Sequence, residues 1–330
     1  MANAKYNLGI YMNKIFFAEE IPGMIEPVEQ ELLYNLAKNI ELSKGSNIVE
    51  FGTFFGRSTA CISAGLISNL SYDVDCKFFA YDSFECDLNG GFYRHVHDFA
   101  SRYKVDHLIE KDGNLVNFLP VFKKYLGEYI EQGILEPQKV ELINSFPKCD
   151  KIKLMHIDSP KYYSEFKYVL FRFFPLLEEN SFVVFQDFFY HWSATLIAAV
   201  GSMLKRGFLS IEKSAASSLV CTLNKPISIE QLNEIDLELG IKTNIPTLID
   251  TAISKLNATV LDRSEIFKPR LNLAKIQWFF ESNQHAEAAD EIKRFFVAGN
   301  KLNNALVYDF LELMRNGFSI RELYEEDHKQ

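Results

Sequence analysis

Positive charge is in short supply in this 330-residue sequence: 35 Lys and Arg stand against 44 Asp and Glu, a formal charge of −9. A chain with that balance has no general attraction for nucleic-acid phosphates or anionic membranes, so neither is an expected partner. Cysteine is scarce as well. Cys61, Cys76, Cys86, Cys149 and Cys221 are odd in number, scattered and without a CxxC pair, which argues against zinc or a redox dithiol and for a reduced compartment. No apolar run approaches the roughly 20 residues of a membrane span. The start, MANAKYNLGIYMNKIFF, has no basic leader or small-residue cleavage site, so a cytoplasmic location is expected. A GxGxxG fingerprint is missing too, which counts against a dinucleotide. Phe and Tyr, by contrast, are abundant at 29 and 15 residues; without interleaved basic residues they read as core rather than as a stacking surface for RNA.

One stretch asks for a ligand. NIVEFGTFFGRST, Asn47 to Thr59, is an apolar run followed by two glycines four residues apart and a Ser-Thr pair. Glycine directly after a strand marks backbone that bends sharply or is approached closely. Along the chain, strand candidates NIVEFG, CKFFAYDS, KVELINS, KIKLMHID and SFVVFQD alternate with the helical patterns STACISAGLISNL, LPVFKKYLGEYIEQG and YYSEFKYVLFRFFPLLEEN. Alternation of this kind predicts βαβ units and a parallel sheet whose strand ends carry the site. After a further helix, WSATLIAAVGSMLKRG, the runs FLSIEKS and SLVCTLN are close enough to pair as a hairpin.

Five alternating strands and a closing hairpin resemble the class I S-adenosylmethionine-dependent methyltransferases. VEFGTFFGRST is similar to their first motif, and FAYDSFE together with LMHIDSPKYYSEFKYVLFRFFPLLEENSFVVFQDFF resembles the macrocin O-methyltransferase-like group. The resemblance spans about Glu26 to Asn224 and implies an α/β fold. The expected sheet is doubly wound, mostly parallel and seven-stranded, Rossmann-like, with a terminal antiparallel hairpin. The chain is expected to divide into an N-terminal helical cover at 1–45, a cofactor-binding domain at 46–224 and a C-terminal α-helical extension at 225–330, the lid or dimerisation segment.

The residues themselves fit S-adenosylmethionine. Gly52 and Gly56 let backbone approach the cofactor, and the amides around Arg57, Ser58 and Thr59 favour its carboxylate. Glu50, beside Phe51 at the strand end, is placed for its ammonium group. Asp82, followed by Ser83, is placed to accept from two ribose hydroxyls; an Asx-turn is the structural alternative. Asn144 and Ser145 are expected near adenine, or as plain loop residues. The resemblance further implies a divalent cation, Mg2+, held by acids at the fourth and fifth strand ends. Here Pro160 and Gln186 stand where two of those acids are expected, leaving Asp158 and Asp187 as ligands. Without metal, methyl transfer needs positioning and a base, from Asp158, His156, Lys161 or His191. His191 is expected to be the more exposed histidine and His156 reads equally as a core residue, while HVHD, His95 to Asp98, is a metal pair on paper and a surface loop or the start of a helix by preference.

Beyond Asn224 nothing resembles a methyltransferase core. In PRLNLAKIQWFFESNQHAEAADEIKRFFVAGN, Ala274, Trp278, Ala286, Ala289 and Phe296 have the spacing of one tetratricopeptide-type hairpin without a repeat. A further helix is expected to stop at Gly317, before a frayed EEDHKQ tail. These helices are expected to cover the core, act as a lid, or join copies of the chain into a homo-oligomer. Two functions follow: O-methylation of a sugar, glycan or other small hydroxylated metabolite, or cofactor binding at a degenerate site that serves as an interaction module.

Overall fold

The computed structural model describes residues 18–257, 264–297, 306, 309–311 and 313. Most apolar runs fold where the sequence places them: β1 (Asn47–Phe51), β2 (Phe78–Asp82), β7 (Ile152–Ile157) and β8 (Leu177–Phe185). Expected strand KVELINS is a correction. The strand there is β6 (Leu135–Lys139), and Leu142–Asn144 is a 3-10 turn. β6 lies at one edge of the sheet and contains Pro137, and an edge needs only one hydrogen-bonded neighbour, so a residue without an N–H is tolerated. The helix expected over Tyr162–Asn180 also stops early, as α5 (Tyr163–Phe173), with Pro175 in the turn that leads into β8.

The seven-stranded sheet has the order β6-β2-β1-β7-β8-β10-β9, where β9 is Leu209–Ala215 and β10 is Ser218–Leu223. β1 runs parallel to β2 and β7, and β2 parallel to β6. The β9–β10 hairpin is antiparallel, so the Rossmann-like architecture expected from the sequence is the one observed. A second sheet, β3 (Glu85–Asp87), β5 (Leu115–Asn117) and β4 (Glu110–Asp112), is an addition to the expected architecture, and α3 is Gly91–Arg102. HVHD falls inside α3, where His95 and His97 are exposed.

The chain forms two compact units. The first holds the described residues up to Pro160 with Leu176–Val183; the second holds Lys161–Pro175 and the described residues from Val184 onward. In the first, α1 (Pro27–Asn39) opens with a capping box, the Glu26 amide donating to Glu29 Oε2 at 2.8 Å. It packs on α2 (Arg57–Ile67) so closely that a Cβ at Gly65 would lie 2.3 Å from the Tyr34 carbonyl oxygen. The same unit contains α4 (Leu119–Glu131).

In the second unit, α6 (Ala194–Lys205) is buried along most of its length. Around it stand α7 (Ile229–Gly240), α8 (Asn244–Asn257) and α9 (Ser264–Glu281). α9 pairs with α10 (His285–Val297), and Leu273, Ile276 and Phe295 form a core with Leu306 and Leu313. The expected hairpin register is corrected in α10: Ala288 is buried, whereas Ala286 and Ala289 are exposed. Gly317 and the EEDHKQ tail lie outside the described residues.

Candidate functional site

The first unit brings the carboxyl ends of β1, β2 and β7 together around the glycine turn. Gly52 and Gly56 have φ of +81° and +97°, the left-handed region that glycine enters without strain. They are also closely approached, and by the chain itself. A Cβ on Gly52 would fall 2.7 Å from the Ser159 amide nitrogen, and one on Gly56 2.5 Å from Leu126 Cδ1. The amides of Asp158 and Ser159 both donate to the Phe51 carbonyl at 2.9 Å. Gly52 therefore admits the loop that carries Asp158 to the side of the turn, and Asp158 stays partly exposed there.

Asp82 holds the turn shut. Its Oδ2 accepts from the amides of Thr53 (2.8 Å) and Phe54 (3.0 Å) and more weakly from the Thr53 hydroxyl (3.4 Å), while Oδ1 accepts from the Phe84 amide (2.7 Å). Burial pushes its pKa up, and the amides of Phe84, Phe54 and Thr53 oppose that by favouring the carboxylate. An ionised oxygen has two acceptor sites. Oδ2 is filled by its two amides, and capacity remains on Oδ1. That is less free capacity than the two ribose hydroxyls expected of Asp82. Ser83 closes a local turn with Glu85, its hydroxyl donating to the Glu85 carbonyl at 3.0 Å.

Glu50 is fully buried, not turned toward a ligand. Register places it opposite His156 on the adjacent parallel strand, and its Oε1 lies 2.9 Å from His156 Nδ1 while Oε2 accepts from the Thr59 hydroxyl at 2.5 Å. This corrects the ammonium-holding role, because both oxygens serve the protein interior. It settles His156 as a core histidine. The sequence points only to the Thr59 amide; its side-chain role arises because α2 folds back over β1, which no local pattern encodes.

Arg57 also faces inward on the chain. Its Nε donates to the Ile21 carbonyl (2.7 Å) and its Nη2 to the Tyr103 hydroxyl (2.6 Å). What remains for an anion is backbone: α2 starts at N-cap Gly56 with no side-chain cap, so its first amides have no intrahelical acceptor. Those amides and Asp82 Oδ1 fit the methionine carboxylate and one ribose hydroxyl. Phe54, at φ +51°, packs against Phe55 (4.1 Å between ring centroids), Phe92 (5.6 Å) and Phe118 (5.9 Å), fixing the turn from its apolar side. Ser145 is buried and bonded to the Leu142 carbonyl at 2.7 Å; Asn144 is exposed.

In the second unit, Asp187 follows β8 with φ +57°. Its Oδ2 accepts from Lys161 Nζ at 2.7 Å and its Oδ1 from the Ser217 hydroxyl at 3.0 Å. Gln186 Nε2 donates to Ser217 Oγ (3.0 Å), and Gln186 Oε1 accepts from the Ser218 hydroxyl (2.6 Å). Mg2+ seeks an octahedron of oxygens, and an ammonium already sits against Asp187. Among the described residues no group of three or more His, Cys, Asp or Glu could hold a metal ion. His191 is a further correction: it is 2% exposed, in the turn His191–Ser193 covered by α9. Burial lowers its pKa, which Asp309 raises and Arg270 lowers further.

Solved structures resemble this fold at a distance. The O-methyltransferase NovP matches at 14% identity over 66% of this chain and 98% of its own, with a TM-score of 0.47. An O-methyltransferase from Bacillus cereus in complex with SAH matches at 11% identity over 66% and 90%, TM-score 0.38. CalS11, a TDP-rhamnose 3'-O-methyltransferase of calicheamicin biosynthesis, matches at 18% identity over 55% and 66%, TM-score 0.30. No protein-family model matches the sequence, and no curated protein is similar to it. Similarity this remote assigns neither activity nor substrate.

Proposed function

We propose that this chain is an S-adenosylmethionine-dependent methyltransferase that O-methylates a sugar, glycan or other small hydroxylated metabolite. The observation that carries the reading is the positive-φ turn Gly52–Gly56, clamped by an acid from the neighbouring strand end and opening onto the uncapped start of α2. The sheet order, with β10 between β8 and β9, supports it. The α2 amides bind the cofactor carboxylate and Asp82 Oδ1 takes a ribose hydroxyl. The bound cofactor supplies an electrophilic methyl on sulfonium sulfur. Asp158, partly exposed beside the turn, would orient the acceptor hydroxyl and take its proton.

Titration calorimetry with S-adenosylhomocysteine tests the cofactor half: Asp82→Asn is expected to weaken binding by roughly 1–3 kcal/mol, and equal affinity would sink it. Release of S-adenosylhomocysteine from a panel of sugar acceptors tests turnover, which Asp158→Asn is expected to lower at least about tenfold, ~1.4 kcal/mol in barrier, with cofactor affinity intact. The second reading, cofactor binding without turnover at an interaction module, is favoured by the engagement of both Asp187 oxygens. It predicts the same calorimetry and no release.

A further inference from the structure

Among the described residues, the hydrogen bonds that join Ala18–Gly23 to later parts of the chain all run to Arg57 or Tyr103. Arg57 Nε donates to the Ile21 carbonyl at 2.7 Å, and its Nη2 donates to the Tyr103 hydroxyl at 2.6 Å and more weakly to the Glu19 carbonyl at 3.4 Å. Tyr103, directly after α3, donates in turn to the Glu19 carbonyl at 3.2 Å, and its ring lies 6.0 Å from the Arg57 guanidinium carbon. The segment has little other fastening: one 3-10 turn at Ala18–Glu20 and the buried side chains of Ala18, Ile21 and Ile25. Its backbone is pressed against the same arginine, because a Cβ on Gly23 would fall 2.6 Å from Arg57 Cβ. One forked side chain thus holds two points of the segment and the residue that follows α3. Its partners are carbonyls and a hydroxyl, without the bidentate carboxylate pairing that would lock it, so the segment can lift without separating an ion pair.

Arg57 is also the first residue of α2, so its backbone belongs to the uncapped helix start while its side chain belongs to this segment. We propose that Ala18–Ile25 is a strap over the start of α2, and that Arg57 is the positioning residue that couples closure of the strap to occupation of the cofactor carboxylate site. The proposal rests on the methyl-transfer reading for its ligand. A carboxylate bound at the α2 amides fixes the backbone from which the guanidinium reaches, and a closed strap fixes the guanidinium from its other end. By linkage each event then favours the other. Strap, Arg57, Tyr103 and the glycine turn all lie in the first compact unit.

Hydrogen exchange of the full chain, read by mass spectrometry on peptides spanning Ala18–Ile25 with and without S-adenosylhomocysteine, tests the coupling. Arg57→Lys keeps the positive charge and loses the fork; Tyr103→Phe keeps the ring and loses the hydroxyl. In wild type the ligand is expected to slow exchange in the strap. In Arg57→Lys, ligand-free exchange there is expected to rise at least about tenfold, and the slowing by ligand to disappear. Calorimetric affinity for S-adenosylhomocysteine is expected to fall at least about fivefold, the low end of ordinary coupling. Tyr103→Phe is expected to move both readings in the same direction, and it decides if Arg57→Lys fails to fold. Unchanged strap protection in the variants would overturn the tie. A loosened strap with wild-type affinity would overturn the coupling and leave Arg57 a purely structural residue. Wild-type protein that binds no S-adenosylhomocysteine would overturn the cofactor reading and the coupling with it, and the ligand-free comparison distinguishes that failure from failure of the tie.

Discussion

At the scale of the residue, two buried polar groups set measurable expectations. Glu50 is enclosed with His156 on one oxygen and Thr59 on the other. Glu50→Ala removes one hydrogen-bond partner of each in a fully packed layer, which is expected to cost about 1–3 kcal/mol per lost partner in urea unfolding. His191 gives a pH dependence. Burial holds its pKa below the ordinary 6.5, so between that value and the folded pKa the unfolded chain carries a proton that the folded chain refuses. Its contribution is complete above pH 6.5 and is lost as pH falls through the folded value. His191→Phe is expected to lose less stability than wild type on going from about pH 7.5 to about pH 5.5, measured by urea midpoints. An unchanged difference would remove His191 as the source. These two residues also mark the limit of sequence reading at this scale. Glu50, at a strand end and next to a glycine turn, looks like a ligand-facing acid, and only its register with His156 shows that its side chain turns inward.

At the scale of the element, glycines separate packing from propensity. Gly201 lies in α6, where a Cβ would fall 2.1 Å from the Leu248 carbonyl of α8. Gly127 lies in α4, and a Cβ there would meet no heavy atom within 4 Å. Alanine gains up to about 1 kcal/mol over glycine in a helix interior. Gly127→Ala is therefore expected to stabilise by roughly 0.5–1 kcal/mol. Gly201→Ala is expected to destabilise by about 1–3 kcal/mol, because the two helices must separate. Chemical denaturation of the pair checks both signs at once. The β6 correction belongs to the same scale. LEPQK has neither the alternation nor the apolar run of a buried strand, and it is a strand because β2 offers it a hydrogen-bonding edge. In the apolar KVELINS stretch the Val140 amide makes one more bond, to the Asp82 carbonyl at the end of β2, and the chain then turns at Leu142–Asn144.

At the scale of the whole molecule, the helices past Asn224 belong to the same compact unit as α5, α6 and the hairpin. α6 is buried from Ala194 to Leu204 except at Thr195, and α8 and α9 supply much of that cover. A chain ending at Asn224 would expose this apolar face, and soluble monomers rarely carry large contiguous apolar patches. Such a chain is expected to aggregate or to bind a hydrophobic dye strongly, read by size-exclusion chromatography and dye fluorescence. A soluble monomer of unchanged unfolding midpoint would show that the extension is an independent module.

The sequence by itself determined the alternation of strands and helices, the closing hairpin, the glycine turn and the acids at its strand ends, because each rests on local periodicity and on the backbone freedom of glycine. Tertiary structure alone decided what those acids do. Asp82 bonds to amides 28 and 29 residues earlier, Glu50 meets a histidine 106 residues later, and Asp187 meets Lys161 and Ser217 from opposite directions along the chain. A carboxylate's role depends on which donors surround it, and strand register and loop packing bring those donors from segments that share no local pattern.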